Sequence, residues 1–335
     1  TFEVQGTFLE VGVSVGVALV PQDGHDPDTV LKHADVAMYS AKRSSHGIAR
    51  YRRSDDTSSR QRLALAGELR RAMDEGQIDL HYQPKVSMDT GQVTGFEALA
   101  RWNHPDRGMV MPDQFIPLAE QTGLVGRLTH VALRQALETA STWNRQRTAT
   151  QQQLGIAVNL SPRRLVEADL PAVVNELLAG TGVPAHLLTL EITESSLMAD
   201  PQAAQRALHE LREIGVRLSV DDFGTGYSAL AYLQRLPLDE VKIDKSFVIP
   251  MMTDQGARAI VRAIVELAHT LDLTVVAEGV EHETARDALQ TMGCDVMQGY
   301  FIARPLRVDQ IEPWLTDWQR RNNARQPTRS PLPHP

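Results

Sequence analysis

The chain has 335 residues, 42% hydrophobic and 23% charged, with a formal net charge of −8. That is enough chain to bury a substantial core in one large or two smaller globular domains, and the acidic balance argues against a polymeric nucleic-acid binder, which carries a basic face. A single cysteine, Cys294, excludes an internal disulfide framework and a cysteine-based zinc site and fits a reducing compartment.

No run is long enough to span a membrane and no signal peptide is present, so a cytoplasmic location is expected. The first residue is Thr1 rather than Met, which points to a piece of a longer protein and leaves an upstream membrane anchor open.

Residues 7–21 alternate apolar and small side chains as a strand does. Residues 27–43 carry apolar side chains at 30, 31, 34, 38 and 41, a helical stripe. The polar stretch 51–62 then reads as a linker running into a helix. The expected organisation is a separate segment 1–53, a linker 54–61, a main domain 62–320 and a disordered tail 321–335 rich in Pro, Arg and Asn.

From residue 62 the pattern alternates. Residues 63–73 are helical, 78–88 form a strand followed by the turn Asp89-Thr90-Gly91, and the next strand runs to Arg101. Helices are expected at 113–121, 125–147, 171–180, 201–214, 227–235, 254–271, 281–292 and 308–320, separated by further strands. Eight strands in about 260 residues match an α/β fold of the (β/α)8 TIM-barrel type. A doubly wound open sheet is the competitor, but it places its site at one switch point and not along every strand.

Seven apolar runs carry a polar cluster at or near their ends: GFEALARW (95–102), GIAVNLS (155–161), LTLEITE (188–194), VRLSVDDFGTG (216–226), EVKIDKS (240–246), LTVVAEGVE (273–281) and DVMQGYF (295–301). If those strands are parallel neighbours, Glu97, Asn159, Glu191, Asp221, Asp222, Lys242, Glu278, Glu281 and Gln298 share one rim. Six carboxylates in one place repel unless cations sit among them, so a divalent metal centre is expected.

Asp221-Asp222 is the sharpest local signal: adjacent carboxylates at a strand end can serve two metals of the kind that clamp the attacking and leaving oxygens of phosphoryl transfer. A lone pair of this kind equally fits a helix cap with a solvated neighbour, and its company favours metal. Asn159 offers a neutral oxygen, and an all-oxygen set suits Mg2+ or Mn2+. Lys242, within an apolar run, would neutralise the cluster or position a water; Arg101, near a strand end, would grip a phosphate or make a surface salt bridge. FGTGYSA (223–229) imitates a dinucleotide fingerprint, yet the two preceding aspartates would repel a pyrophosphate. His81, His104 and His130 read as structural, and no zincin or hydrolase-triad spacing occurs.

The motifs YQPK, EALARW, FIPLAE, VNLS, LEITES, DDFGTGYSAL, VKIDKSF, AEGVE and QGYFIARP, in this order across residues 62–318, resemble the EAL domains, named for Glu97-Ala98-Leu99 here. The resemblance implies a barrel whose first strand is antiparallel and a phosphodiesterase that opens cyclic di-GMP to linear pGpG with two divalent ions, Mg2+ or Mn2+. It also implies Glu97, Asn159, Glu191, Asp221 and Asp222 as metal ligands, with Glu278 at the metals directly or through water. Lys242 would hold the catalytic water, Glu281 and Gln298 would support water and metal, and Glu194 would pin the 221–230 loop. Gln83, Leu99 and Arg101 would contact substrate. A homodimer is expected as well.

Residues 1–53, through VSVGVAL, HADVAMYSAKR and GIARYRR, resemble the last part of a GGDEF domain, the diguanylate cyclase module, and imply an upstream sensor or GGDEF region in the parent protein. The cyclase signature itself is absent from the chain, so no cyclase activity is expected of it. Two rival readings stand beside the enzyme: a receptor that binds cyclic di-GMP without hydrolysis, and an interaction barrel with neither ligand nor metal.

Overall fold

The computed structural model describes residues 2–4, 7–9, 13–43, 47–148, 151–225 and 234–325. The chain divides into two compact units, Thr1–Arg71 and Ala72–Pro335.

In the first unit, Phe2–Val4 pairs antiparallel with Thr7–Leu9, and Val15–Val17 pairs parallel with Ile48–Arg50. The helix Pro27–Arg43 lies directly on the second pair: a Cβ on Gly16 would fall 1.9 Å from the Ala34 carbonyl oxygen. The continuous strand expected over 7–21 is instead two short strands, with residues 10–12 outside the described residues. The helix Arg53–Asp74 covers the stretch 54–61 that reads as a linker. Strong helix formers from Leu63 to Met73 supply the nucleus, and adding a turn to an existing helix costs less than starting one.

The second unit is a closed eight-stranded barrel with helices outside it. Its strands are β1 (Ile78–Ser87), β2 (Val93–His104), β3 (Gly155–Leu160), β4 (Leu188–Thr193), β5 (Arg217–Phe223), β6 (Glu240–Ile243), β7 (Thr274–Ala277) and β8 (Val296–Met297). Strands β2 to β8 run parallel in chain order. β1 closes the ring antiparallel to both β2 and β8, so the expected antiparallel first strand is present.

The helices form because their apolar residues recur on one face. Ala204, Leu208 and Leu211 are buried in Pro201–Ile214, and Val261, Ile264, Val265 and Ala268 in Gln255–Thr270. Asp200 and Asp254 accept N–H bonds from the first turns of these two helices and mark their starts. The helix expected at 227–235 falls largely on residues 226–233, outside the described residues. The tail is not irregular from 321: the last helix runs from Val308 to Arg325, and 326–335 lie outside the described residues. No helix among the described residues is long and apolar enough to cross a membrane.

Strand alternation separates two environments. In β4, Leu188, Leu190 and Ile192 are buried in the apolar core between barrel and helices; in β5, Leu218 and Val220 do the same; in β6, Val241 and Ile243. The intervening residues therefore point into the barrel: Glu191, Ser219, Asp221, Glu240 and Lys242. The lumen is thus polar and charged.

Candidate active site

The centre of the lumen is the ammonium of Lys242, fully buried. Its Nζ lies 2.7 Å from Glu278 Oε1, 2.8 Å from Glu191 Oε2, 3.3 Å from Asp221 Oδ2 and 3.4 Å from Glu97 Oε2. These carboxylates come from β2, β4, β5 and the residue after β7, so the barrel closure brings together residues up to 181 positions apart in the chain, from Glu97 to Glu278. Glu97 is the most heavily bonded: it also accepts from Asn159 Nδ2 at 2.6 Å and from Gln298 Nε2 at 2.5 Å. Gln298 Nε2 also lies 3.1 Å from Gln83 Oε1, and Gln83 stands opposite Glu97 in the β1–β2 register.

Asp221 and Asp222 diverge because the backbone breaks its alternation between them. The β5–β6 register shifts between Val220 and Phe223, and Asp222 takes φ 55, a left-handed conformation that costs a non-glycine residue free energy. Asp221 is therefore buried against Lys242, whereas Asp222 is half-buried at the mouth with its N–H bonded to Asp221 Oδ1 at 2.9 Å. Immediately beyond, Gly224 (φ 94) donates its N–H to Glu194 Oε2 at 3.0 Å, which ties the turn after β5 to the end of β4. Of the 221–230 loop that Glu194 was expected to pin, residues 226–230 lie outside the described residues.

A cavity of about 400 Å3 opens above this centre, walled by Gln83, Leu99, Glu278, Glu281, Gln298 and Tyr300 among others. Glu281 is exposed on that wall. Gly279, at φ 67, lets the chain turn between Glu278 and Glu281; a Cβ there would also fall 2.5 Å from that of Lys245. Arg101 is buried two residues beyond Leu99 and donates a guanidinium N–H to the Ala100 carbonyl at 2.8 Å.

The electrostatics follow from four carboxylates facing one ammonium. Burial works against the charge on Lys242, but Glu191, Glu97, Glu278 and Asp221 outweigh it and hold the ammonium protonated. Burial also opposes ionisation of Glu97, yet Lys242 and the donors Gln298 and Asn159 bring its pKa down to about 2. Burial pushes Glu278 up to about 7 despite Lys242, and burial with the neighbouring Asp221 carboxylate raises Asp222. Negative charge is in excess at this mouth.

Two further charged residues, not among those expected from the sequence, complete the lumen. Lys85 Nζ lies 2.7 Å from Glu240 Oε1 and 3.3 Å from Glu191 Oε1, all three buried. Charged residues alternating with apolar ones in QPKV and EVKI were the available signal.

Lys242 sits among the carboxylates, in the neutralising position that was one of its two expected roles. Accordingly, no three His, Cys, Asp or Glu side chains among the described residues form a ready-made cation cage. The donor chemistry still fits a hard divalent ion, because Asp221, Glu278, Glu97 and Glu191 bring carboxylate oxygens around Lys242, with Asn159 bonded to Glu97 and Asp222 next to Asp221.

The family description "EAL domain" matches residues 66–305, and "Diguanylate cyclase, GGDEF domain" matches residues 1–47. Among curated proteins, the chain is 40% identical over 312 residues to the bifunctional diguanylate cyclase/cyclic di-GMP phosphodiesterase MucR of Pseudomonas aeruginosa, covering 92% of the chain and 45% of MucR. It is 39% identical over 328 residues to the cyclic di-GMP phosphodiesterase NbdA of the same organism, covering 98% of the chain and 41% of NbdA. The chain therefore spans less than half the length of these relatives. Among solved structures, PaMucR phosphodiesterase in complex with c-di-GMP matches with a TM-score of 0.70 and 42% identity, over 75% of this chain and 99% of that one. The EAL enzyme Bd1971 in its cGMP-bound form matches with a TM-score of 0.73 and 32% identity, over 78% and 71%.

Proposed function

The chain belongs to the EAL domain family and carries a GGDEF fragment at its N-terminus, and on that premise we propose that it hydrolyses cyclic di-GMP to linear pGpG in the lumen mouth around Lys242. The observation that carries this reading is the convergence of Glu97, Glu191, Asp221 and Glu278 on one buried ammonium beneath an open cavity. In this reading Glu97, Asn159, Glu191, Asp221, Asp222 and Glu278 hold two divalent ions, Mg2+ or Mn2+. Bound there, the ions supply Lewis-acid charge stabilisation and lower the pKa of a coordinated water.

The chain's own residues do the rest. Lys242 fixes the attacking water and offsets charge developing on the phosphoryl oxygens. Gln298 holds Glu97 and Gln83 in mutual register, and Glu281 faces the same cavity, where it supports the water. Gln83, Leu99 and Arg101 orient the dinucleotide so that one phosphodiester faces the carboxylates. Glu194 keeps the turn after Asp222 in place. Water forms a new bond to phosphorus, the P–O3′ bond breaks, and the ribose 3′ oxygen leaves with a proton.

Residues 1–53 are read as the end of a GGDEF domain, 54–61 as the connection and 62–320 as the hydrolytic domain. The functional unit is read as a homodimer joined to an upstream sensor or GGDEF region.

Chromatography of cyclic di-GMP incubated with the chain, with and without divalent ion, tests the reading. Ion-dependent pGpG supports it; intact dinucleotide that binds without turnover replaces it with the receptor reading.

A further inference from the structure

We propose that the buried Lys85–Glu240 pair is a positioning device that holds Glu191 in place from the side of the lumen opposite the substrate cavity. The inference rests on Glu191 acting as a ligand in the proposed centre and asks what orients it.

Glu191 is fully buried and its two oxygens face two different ammonium groups: Oε2 meets Lys242 at 2.8 Å and Oε1 meets Lys85 at 3.3 Å. Lys85 is itself anchored, 2.7 Å from Glu240 Oε1. Glu240 is anchored in turn by the Ser219 hydroxyl at 3.0 Å. The bonded order is thus Ser219–Glu240–Lys85–Glu191–Lys242. Lys85 and Glu240 line a second cavity of about 300 Å3 together with Arg217, whereas Glu97, Asp221 and Glu278, the other partners of Lys242, line the substrate cavity.

A carboxylate held at only one oxygen can rotate about its last side-chain bond. Held at both, by ammonium groups that are themselves fixed, its plane is set. Lys85 and Glu240 touch none of the cavity-lining groups assigned to substrate, so they act through Glu191 and are positioning residues. Burial costs both charges, which the pair offsets only jointly, Lys85 meeting Glu240 at 2.7 Å with the Ser219 hydroxyl on the same carboxylate.

The test uses the full chain and the double variant Lys85→Met/Glu240→Gln, because Lys85→Met alone strands Glu240 as an unpaired buried charge and risks unfolding. Neutral groups of similar volume in place of a buried pair are tolerated by folds. Two readouts are taken: the Mn2+ concentration at half-maximal thermal shift, and kcat and KM for cyclic di-GMP. Expected is at least a threefold rise in the Mn2+ midpoint and a tenfold or greater fall in kcat, with KM within about twofold, since substrate contacts are untouched. An unchanged or lowered Mn2+ midpoint overturns the proposal, whatever happens to the melting temperature, and so does a wild-type chain with no Mn2+-induced shift. If wild type binds Mn2+ but releases no pGpG, the hydrolytic reading fails and the Mn2+ midpoint alone still decides the role of Lys85–Glu240.

Discussion

Glu194 Oε2 accepts the Gly224 N–H at 3.0 Å and thereby fastens the turn that follows Asp221-Asp222 to the strand that carries Glu191. The bond joins residues 30 apart in the chain and is made by a side chain that is itself buried. It fixes the backbone two residues beyond an aspartate held at a strained left-handed angle.

Removing that carboxylate should cost activity more than stability. A hydrogen bond to a charged group contributes about 1.5–3 kcal/mol. If that is lost from the positioning of Asp222, kcat falls by about 10- to 100-fold. Glu194→Ala assayed beside wild type by steady-state kinetics checks this, with circular dichroism to confirm that the barrel is retained. A variant within twofold of wild-type kcat would mean that the turn holds itself.

Lys242 supplies the positive charge that four carboxylates share. Lys242→Met leaves buried carboxylates uncompensated, and breaking a buried ion pair by removing one partner costs about 3–5 kcal/mol. The variant should therefore melt well below wild type in chelator, recover part of the difference in millimolar Mg2+ or Mn2+, and turn over no substrate in either. A thermal melt with and without ion reads the first two effects. A melting temperature unchanged in chelator would show that the carboxylates are already neutralised by their own protons.

Cys294 is buried with its thiol donating towards the Val275 and Val296 carbonyls, and burial pushes it from an ordinary value near 9.0 up to about 12. Folding thus favours the neutral thiol. The stability linked to this group is complete below pH about 9 and is lost as pH rises through about 12. At pH 8 a thiol reagent should label the denatured chain fully and the native chain slowly, at a rate set by unfolding. Rapid native labelling would place the thiol at the surface.

Much of the site was legible because barrels put chemistry where strands end. Alternation in LTLEIT, LSVDD and EVKI is enough to send Glu191, Asp221 and Lys242 to one face. What alternation does not encode is which opposite charges meet across the lumen. Lys85 and Glu240 are 155 residues apart and pair only because the ring closes through an antiparallel first strand. For the same reason alternation places Lys242 on the rim but does not show that four carboxylates meet its ammonium. The divergence of Asp221 and Asp222 comes from a register shift against β6, a property of two strands together and of neither alone. Local composition misled at both edges of the barrel domain: polar stretches at 54–61 and 321–325 are helical because each continues a helix with a better-formed neighbour.

The most direct test of the account compares wild type with Asp221→Asn, each incubated with cyclic di-GMP in Mn2+ and in chelator, with products resolved by chromatography. Asp221 is the buried aspartate that both touches Lys242 and begins the mouth of the centre. The account predicts pGpG from wild type in Mn2+, none in chelator, and at least a hundredfold slower formation by Asp221→Asn. Equal turnover by the two chains, or pGpG formed in chelator, would contradict it.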